Sequence, residues 1–250
     1  MNEPAVLAII FFTFLLGGIV KGAVGLGMAT VTLAILAVAI DLPSAMALLL
    51  IPTLVTNIWQ ALTGGSFKEL LNRLWPFLLV AMGFVWLGGK ALVSFNIIYL
   101  SALLGVILVF YAIISLGGFR INLNADQEKT AGLIIGSING ILTGMTGSLV
   151  VPGVMYLQAL ELSKDKLVQA MGMLFTVSTV GLAVILGRNN LLTTELGFIS
   201  LVGLVPAIIG MFIGQAVRGV LTEQQFRRVL FIALLLLGAY IIFGAIRELT

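Results

Sequence analysis

The chain has 250 residues, of which 60% are hydrophobic and only 9% are charged, with a formal net charge of +3. Soluble domains carry about 25% charged residues, so this composition excludes an ordinary water-soluble protein and indicates a chain that lies in a lipid bilayer. The sequence contains no cysteine and no histidine, which excludes disulfides, Cys–His nucleophiles and the usual zinc and haem sites, and we expect neither a metal nor a cofactor.

Ten apolar segments, separated by short polar stretches, predict an all-α integral membrane protein. In the first part of the chain these segments cover about 4–20, 28–40, 44–63, 74–89 and 97–116. In the second part they cover about 130–142, 148–160, 168–186, 194–217 and 225–246. We therefore divide the chain into a first membrane repeat, 1–117, a cytoplasmic linker, 118–129, and a second membrane repeat, 130–250.

Each repeat opens with a glycine-rich apolar segment, Gly18–Gly27 in the first and Gly136–Gly147 in the second. The spacing Gly-x-x-Lys-Gly of the first aligns with Gly-x-x-Asn-Gly of the second. In lipid, irregular backbone is stable only where protein or a water-filled cavity surrounds it, so two matching breaks predict a transport site at a repeat interface. The alternative is that these glycines let helices pack closely.

The second element of each repeat offers only about 13 apolar residues, whereas a membrane span needs about 20. The first pair of each repeat therefore forms either a hairpin that dips into the membrane and returns, or two short tilted crossings. Both arrangements give an odd number of crossings per repeat. The sequence thus predicts two repeats of inverted topology, each opening with a short, glycine-broken helix pair.

The distribution of Lys and Arg predicts the orientation. On the side that holds both termini lie Lys90, Arg188 and Arg247. On the other side lie Lys68, Arg73, Arg120, Lys129, Lys164, Lys166, Arg218, Arg227 and Arg228. The positive-inside rule places the richer side in the cytoplasm, so both termini are expected outside. The basic residues form no long run, and we expect no nucleic-acid partner.

Lys21 is the one charge that its sequence position places well inside the bilayer, and such a residue is a site hypothesis by default. The alternative is that Lys21 snorkels to the far headgroup layer. Missing glycine side chains expose backbone N–H groups ahead of two predicted helix starts, and helix N-termini bind anions. Two such ends that enter from opposite sides would converge. The donors concerned belong to Gly25, Gly27, Met28, Gly144, Gly147 and Ser148.

Neutral polar side chains could complete the shell around an oxyanion, or could simply bond one helix to another. The candidates for the shell are Thr30, Thr53, Asn57, Asn139, Thr143, Thr146, Thr176 and Thr179. Gln60 lies on the same helical stripe as Thr53 and Asn57 in the segment 44–63. Gln169 lies on the same stripe as Thr176 and Thr179 in the segment 168–186. A proton-coupled mechanism would need a titratable group. The best candidates for that group are Asp41 and Glu161, which lie at matching ends of the two short second helices.

The glycine pattern that begins at Gly18 and the segment from Thr143 to Pro152 (Thr-Gly-Met-Thr-Gly-Ser-Leu-Val-Val-Pro) resemble the sulfite exporter TauE/SafE family of bacterial permeases. The resemblance covers essentially the whole chain. It departs from the family at Leu33, where a proline commonly stands. The resemblance implies a transporter, not an enzyme, that moves sulfite, thiosulfate, sulfonates or other small organic anions across the cytoplasmic (inner) membrane. Its partners would be the anion and the lipid bilayer, and the chain could also form a homo-oligomer.

Energetics favours export. An inside-negative membrane potential drives anions outward. Moving one negative charge out of the cell releases about 2.3 kcal/mol per 100 mV, so anion export needs no other driving force. Two alternatives belong to other classes. One is a non-transporting membrane scaffold or assembly protein, and the other is an intramembrane hydrolase with a dyad of Lys21 and either Ser137 or Ser148.

Overall fold

The fold was analysed in a computed structural model, which describes residues 4–118, 123–217 and 223–249. Within these ranges the chain forms eleven α-helices and no strand, which confirms the predicted all-α class. The helices are α1 Pro4–Val24, α2 Met28–Ala39, α3 Leu42–Leu48, α4 Leu50–Leu62, α5 Phe67–Ser94, α6 Ile97–Gly117, α7 Ala125–Thr146, α8 Gly153–Ala159, α9 Lys164–Arg188, α10 Thr194–Val217 and α11 Glu223–Leu249. Arg120 and Arg218, which entered the orientation argument, lie outside the described residues.

Six described helices are long and apolar enough to cross a membrane: α1, α5, α6, α9, α10 and α11. The count rises to seven if α3 and α4, which are bent by 45°, form one span. α2 and α8 have 12 and 7 residues. At 1.5 Å per residue they extend about 18 Å and about 10 Å, well short of a hydrocarbon core of about 30 Å. The protein is therefore a multi-pass membrane protein with two short intervening helices.

Each helix break begins later in the chain than predicted, whereas α2 starts at Met28 as expected. α1 continues through Gly18 and Gly22, and α7 continues through Gly136, Gly140 and Gly144. The breaks lie later, at residues 25–27 and 147–152, so the helix expected from Ser148 begins only at Gly153. These glycines stay helical because neighbouring helices cover them, as described below.

Other helix boundaries also differ from the prediction. The fourth predicted element, 74–89, extends over the whole of α5. The predicted linker, 118–129, is partly helical because α7 already begins at Ala125, with Asp126 and Glu128 in its first turn. Carboxylates at that position stabilise a helix through its positive end. Polar residues in the stretch therefore start a helix where a loop was expected.

The third predicted element, 44–63, is two helices because the chain bends at Leu49. Pro52 has no N–H group, so it cannot make the helical hydrogen bond to the carbonyl of Leu48. Ser200, which is fully buried on α10, fills the gap: its hydroxyl donates to the Leu48 carbonyl at 2.6 Å and accepts the N–H of Ile51 at 3.2 Å. One buried serine thus satisfies both backbone groups that the bend exposes.

We expect Ser200→Ala to destabilise the protein. The substitution leaves two buried backbone groups without their partner, which costs about 1–3 kcal/mol and lowers the Tm by about 3–10 °C. Thermal unfolding in detergent measures the change. Ser137→Ala is the matched control, because Ser137 is only half-buried and its hydroxyl donates to the Leu133 carbonyl of its own helix. Equal Tm values for the two variants would contradict the role of Ser200.

The chain divides into two compact units, each built from segments of both halves of the sequence. Unit 1 consists of the described parts of 1–52, 95–118 and 191–250. In it, α1 packs closely along α10. A side chain at Gly18 would overlap the carbonyl oxygen of Ala207, and one at Gly22 would overlap that of Met211. The absence of side chains at these glycines therefore lets the two backbones touch.

Unit 2 consists of the described parts of 53–94 and 119–190, and here α7 packs along α5. A side chain at Gly136 would lie 2.8 Å from the carbonyl oxygen of Phe77, and one at Gly140 would overlap that of Ala81. This confirms the close-packing interpretation for the glycines at 18, 22, 136 and 140.

The two close-packed helix pairs share one register. In α5 the carbonyls that meet glycine lie one and five residues after Pro76, and in α10 they lie one and five residues after Pro206. This agreement supports the internal duplication, and it makes Lys21 and Asn139 equivalent positions. The division into repeats 1–117 and 130–250, and their inverted topology, stay predictions.

In each unit the short second helix returns along the first. In unit 1, a side chain at Gly27 would lie 2.9 Å from the Val20 side chain, and Gly17 faces Met28. In unit 2, Asn139 accepts the N–H of Gly153, and further back on α7 the carbonyl of Glu128 accepts the hydroxyl of Tyr156. This arrangement favours the hairpin alternative.

Candidate functional site

Lys21 lies in the last turn of α1 and is only 6% exposed. The helix closes there because the N–H of Gly25 donates to the Lys21 carbonyl at 2.7 Å. Gly25 and Gly27 then have φ values of 84° and 98°, in the left-handed region that glycine adopts most readily. These two residues turn the chain and start α2 one turn after the buried ammonium group.

The N-terminus of α2 is buried and has no side-chain cap. Its N-cap residue is Gly27, and the first α2 N–H group with an acceptor is that of Val31, which donates to the Gly27 carbonyl at 2.9 Å. Among the described residues, the N–H groups of Met28, Ala29 and Thr30 find no acceptor, and neither does the buried Thr30 hydroxyl. Buried donors without acceptors cost free energy, so this end of the helix is suited to a ligand rich in acceptor oxygens.

Asn139 is the equivalent of Lys21 in unit 2, and it is fully buried. Its Oδ1 atom accepts the N–H of Gly153 at 2.9 Å and so binds the start of α8. Its Nδ2 atom has no acceptor within the described part of the chain. This half-site therefore presents one unused amide donor, whereas its backbone donor at Gly153 is already engaged.

The turn that follows α7 is held by its own hydrogen bonds. The Thr143 hydroxyl donates to the Ser148 carbonyl at 2.8 Å, and the Thr146 hydroxyl accepts the Ser148 N–H at 3.2 Å. Gly147 has a φ of 75° and donates to the Thr143 carbonyl at 2.8 Å. The structure thus brings these four predicted site residues together, but they bond to one another, and the Thr146 hydroxyl also donates to the Leu142 carbonyl at 2.7 Å.

Gly144 has a different environment from its neighbours in the turn. A side chain at Gly144 would lie 2.6 Å from the backbone nitrogen of Gly89 on α5. The structure therefore places Gly144 on the face of α7 that packs against α5.

The family model for the sulfite exporter TauE/SafE family matches residues 10–241 of the chain. The chain belongs to this family. TauE/SafE proteins are membrane transporters of the anion-exporter class rather than enzymes. No curated protein and no solved structure matches the chain. The resemblance identified from the two glycine motifs is thereby confirmed.

The remaining candidates of this TauE/SafE protein lie on α4 and α9 of unit 2. Thr53 and Asn57 are buried on α4. Thr176 and Thr179 are on α9, and their hydroxyls donate to carbonyls one turn back on the same helix, both at 2.7 Å. Ser178, also on α9, is fully buried and has no partner among the described residues.

Gln60 and Gln169 connect α4 and α9. Gln60 donates to the carbonyl of Val168 at 2.7 Å, and Gln169 donates to that of Ala61 at 2.8 Å. For these two residues the helix-to-helix alternative is confirmed.

The two candidates for proton coupling, Asp41 and Glu161, are both exposed. Asp41 accepts the N–H of Ser44 at 2.8 Å as the N-cap of α3, and Glu161 lies just after α8.

Two fully buried hydroxyls were not predicted from the sequence. They belong to Thr32 on α2 and Ser178 on α9, and neither has a partner among the described residues. No spacing signal separates them from threonines and serines that bond to their own helix.

Proposed function

We propose that this TauE/SafE protein exports a small oxyanion across the bacterial cytoplasmic membrane, with both termini outside. The substrate class is sulfite and related sulfur-containing or organic anions, such as thiosulfate and sulfonates. The observation that carries the proposal is the difference between Lys21 and Asn139, two equivalent buried residues on the helices that precede α2 and α8.

Asn139 can accept a hydrogen bond, and it uses its amide oxygen to satisfy the N–H of Gly153. Lys21 carries an ammonium group, which has three donors and no acceptor. It therefore cannot satisfy the buried N–H groups at the start of α2. A cation and a helix N-terminus both favour an anion, and the N–H groups and the Thr30 hydroxyl can donate to its oxygens.

The burial of Lys21 also supports the proposal. A snorkelling lysine keeps its ammonium group in water, whereas Lys21 is 6% exposed. A buried cation favours an anion near it more strongly than an exposed one does, because water screens it less. The unused Nδ2 donor of Asn139 would serve the same anion class in unit 2.

The proposed role of each residue follows from these groups. Lys21 supplies charge, and the backbone around Gly25, Gly27 and Met28 supplies donors with Thr30. Asn139 supplies an amide donor in unit 2. Thr53, Asn57, Thr143, Gly144, Thr146, Gly147, Ser148, Thr176 and Thr179 remain proposed members of the shell. Asp41 and Glu161 remain the proposed groups for any proton coupling.

A flux panel in proteoliposomes tests the proposed function. Purified protein is reconstituted, and efflux of sulfite, thiosulfate, sulfate and small carboxylates is measured with and without imposed pH and voltage gradients. We expect saturable flux of at least one sulfur oxyanion, faster with an inside-negative potential. Flux of no anion above that of protein-free vesicles would contradict the proposal and favour a scaffold or assembly role.

A further inference from the structure

A polar cleft of about 300 Å³ opens in unit 2 near the beginnings of α5 and α7. Asn72 and Arg73 line it from α5, and Lys129 lines it from α7; all three are exposed. A cleft of this volume is many times larger than the space that one water molecule needs. It can therefore accept a small anion together with part of its hydration shell.

The charge at the mouth of the cleft favours an anion. The Arg73 guanidinium donates two hydrogen bonds to the Glu128 carboxylate, at 2.7 and 2.8 Å. This pair uses two of the five N–H donors of the guanidinium and cancels its charge. Lys129 adds a further positive charge to the same lining. A cleft with one excess positive charge raises the local concentration of anions.

Tyr156 forms the inner end of the cleft. Its side chain is 3% exposed, its hydroxyl donates to the Glu128 carbonyl at 3.2 Å, and its ring lies 4.7 Å from that of Phe77. The ring fits there because α7 has Gly132 at this point, where a side chain would lie 2.7 Å from the tyrosine oxygen. The tyrosine is thus held by one hydrogen bond and one ring contact in a notch of α7.

The helix that carries Tyr156 also forms part of the unit 2 half-site. Tyr156 lies one turn after Gly153, whose N–H is bound by Asn139. Along α7, Glu128 and Asn139 are 11 residues apart, which is about 16 Å of helix. α8 therefore connects the inner end of the cleft with the buried amide donor of Asn139.

We propose that this cleft is an aqueous vestibule that admits a small oxyanion toward Asn139, and that Tyr156 closes its inner end. The inference rests on the proposed transport of an oxyanion, and it assigns the route of access in unit 2. Lys129 attracts the anion, and release of the Tyr156 hydroxyl from the Glu128 carbonyl opens the way past the ring.

Thiol labelling of single-cysteine variants tests the vestibule, because the natural chain contains no cysteine. Asn72→Cys is reacted with a sulfonated maleimide, excess reagent is removed, and sulfite efflux from proteoliposomes is measured. The thioether product is stable to sulfite. We expect flux to fall about tenfold or more, because the attached negative charge repels the anion and the label fills the cleft.

Gln127→Cys is the matched control, since Gln127 is exposed in the first turn of α7 but does not line the cleft. Labelled Gln127→Cys should retain the flux of the unlabelled protein. Unchanged flux after complete labelling of Asn72→Cys, or equal losses in both variants, would overturn the vestibule. Lack of flux in the unlabelled natural protein would instead overturn the proposed function, and the vestibule with it.

Tyr156→Phe tests the closing role separately. The variant keeps the ring on Phe77 but loses the hydrogen bond to the Glu128 carbonyl, so the open form should become about fivefold more populated. We expect faster labelling of a cysteine placed at Asn139, the residue to which the vestibule leads, in Tyr156→Phe than in the protein with Tyr156. Equal labelling rates in the two backgrounds would overturn the assignment of Tyr156 as the closing side chain.

Discussion

Lys21→Met is expected to reduce anion flux by about 100-fold or more while the protein still folds. Methionine fills a similar volume and removes the charge, and in the proposed complex the bound anion would lose its cationic partner, which costs about 3–5 kcal/mol when the pair is buried. The backbone donors at the start of α2 remain, so the loss reports on the ammonium group itself. Efflux from proteoliposomes measures the effect, and gel filtration with circular dichroism confirms that the variant is folded.

Lys90→Met is the matched control for this prediction. Lys90 is exposed, and its ammonium group lies 3.7 Å from the ring centroid of Trp86. Removal of this surface charge should leave flux within about twofold of the natural protein. If both variants transported equally well, Lys21 would be excluded from the binding site, and the unsatisfied donors at α2 would need another explanation.

Gly22→Val is expected to prevent α1 from packing on α10. The added side chain would overlap the carbonyl oxygen of Met211, and its Cβ atom would also lie 3.0 Å from the backbone nitrogen of Gln215. Backbone atoms cannot rotate away, so the helices must separate along their length. Overpacking of this kind costs about 3 kcal/mol or more, which corresponds to a fall in Tm of about 10 °C.

Thermal unfolding in detergent and gel filtration check this prediction. Gly244→Val in α11 is the control, because a side chain there meets nothing within 4 Å. The control carries the same β-branched residue in a helix, so propensity effects cancel between the two variants. A Tm of Gly22→Val equal to that of the control would show that the close packing of α1 on α10 is unimportant for stability.

The sequence predicted the features that depend on local patterns. Apolar segments and the low charge content identified a multi-pass all-α protein, and the spacing of Gly18 and Gly22 against Gly136 and Gly140 revealed a duplication. The structure supports that duplication because both pairs meet their partner helices in the same register. Patterns of this kind repeat within one helix, so they can be recognised without knowing what the helix contacts.

Features that depend on distant partners could not be predicted. Whether a glycine breaks a helix or packs it closely is decided by the neighbouring backbone, and for Gly22 that neighbour is Met211. The bend near Leu49 is stable because Ser200 lies beside it, a residue about 150 positions away in the chain. No periodicity in residues 44–63 indicates that serine.

The candidate site shows the same limit. Thr143 and Ser148 were expected to offer donors to a ligand, and their residue types alone gave no sign that they bond to each other across the turn. By contrast, Lys21 could be singled out because one charge in a long apolar region is rare. The strongest prediction therefore came from charge and not from hydrogen-bonding capacity.

Voltage-dependent sulfite efflux tests the central claim most directly. Vesicles loaded with sulfite and potassium receive an inside-negative potential through valinomycin, and efflux is followed with the natural protein and with Lys21→Met. We predict efflux that increases with the potential, slows to the rate set by the sulfite concentration gradient when the potential is collapsed, and is lost in the variant. Efflux that matched protein-free vesicles at every potential, under conditions in which the protein is folded and inserted, would contradict the account.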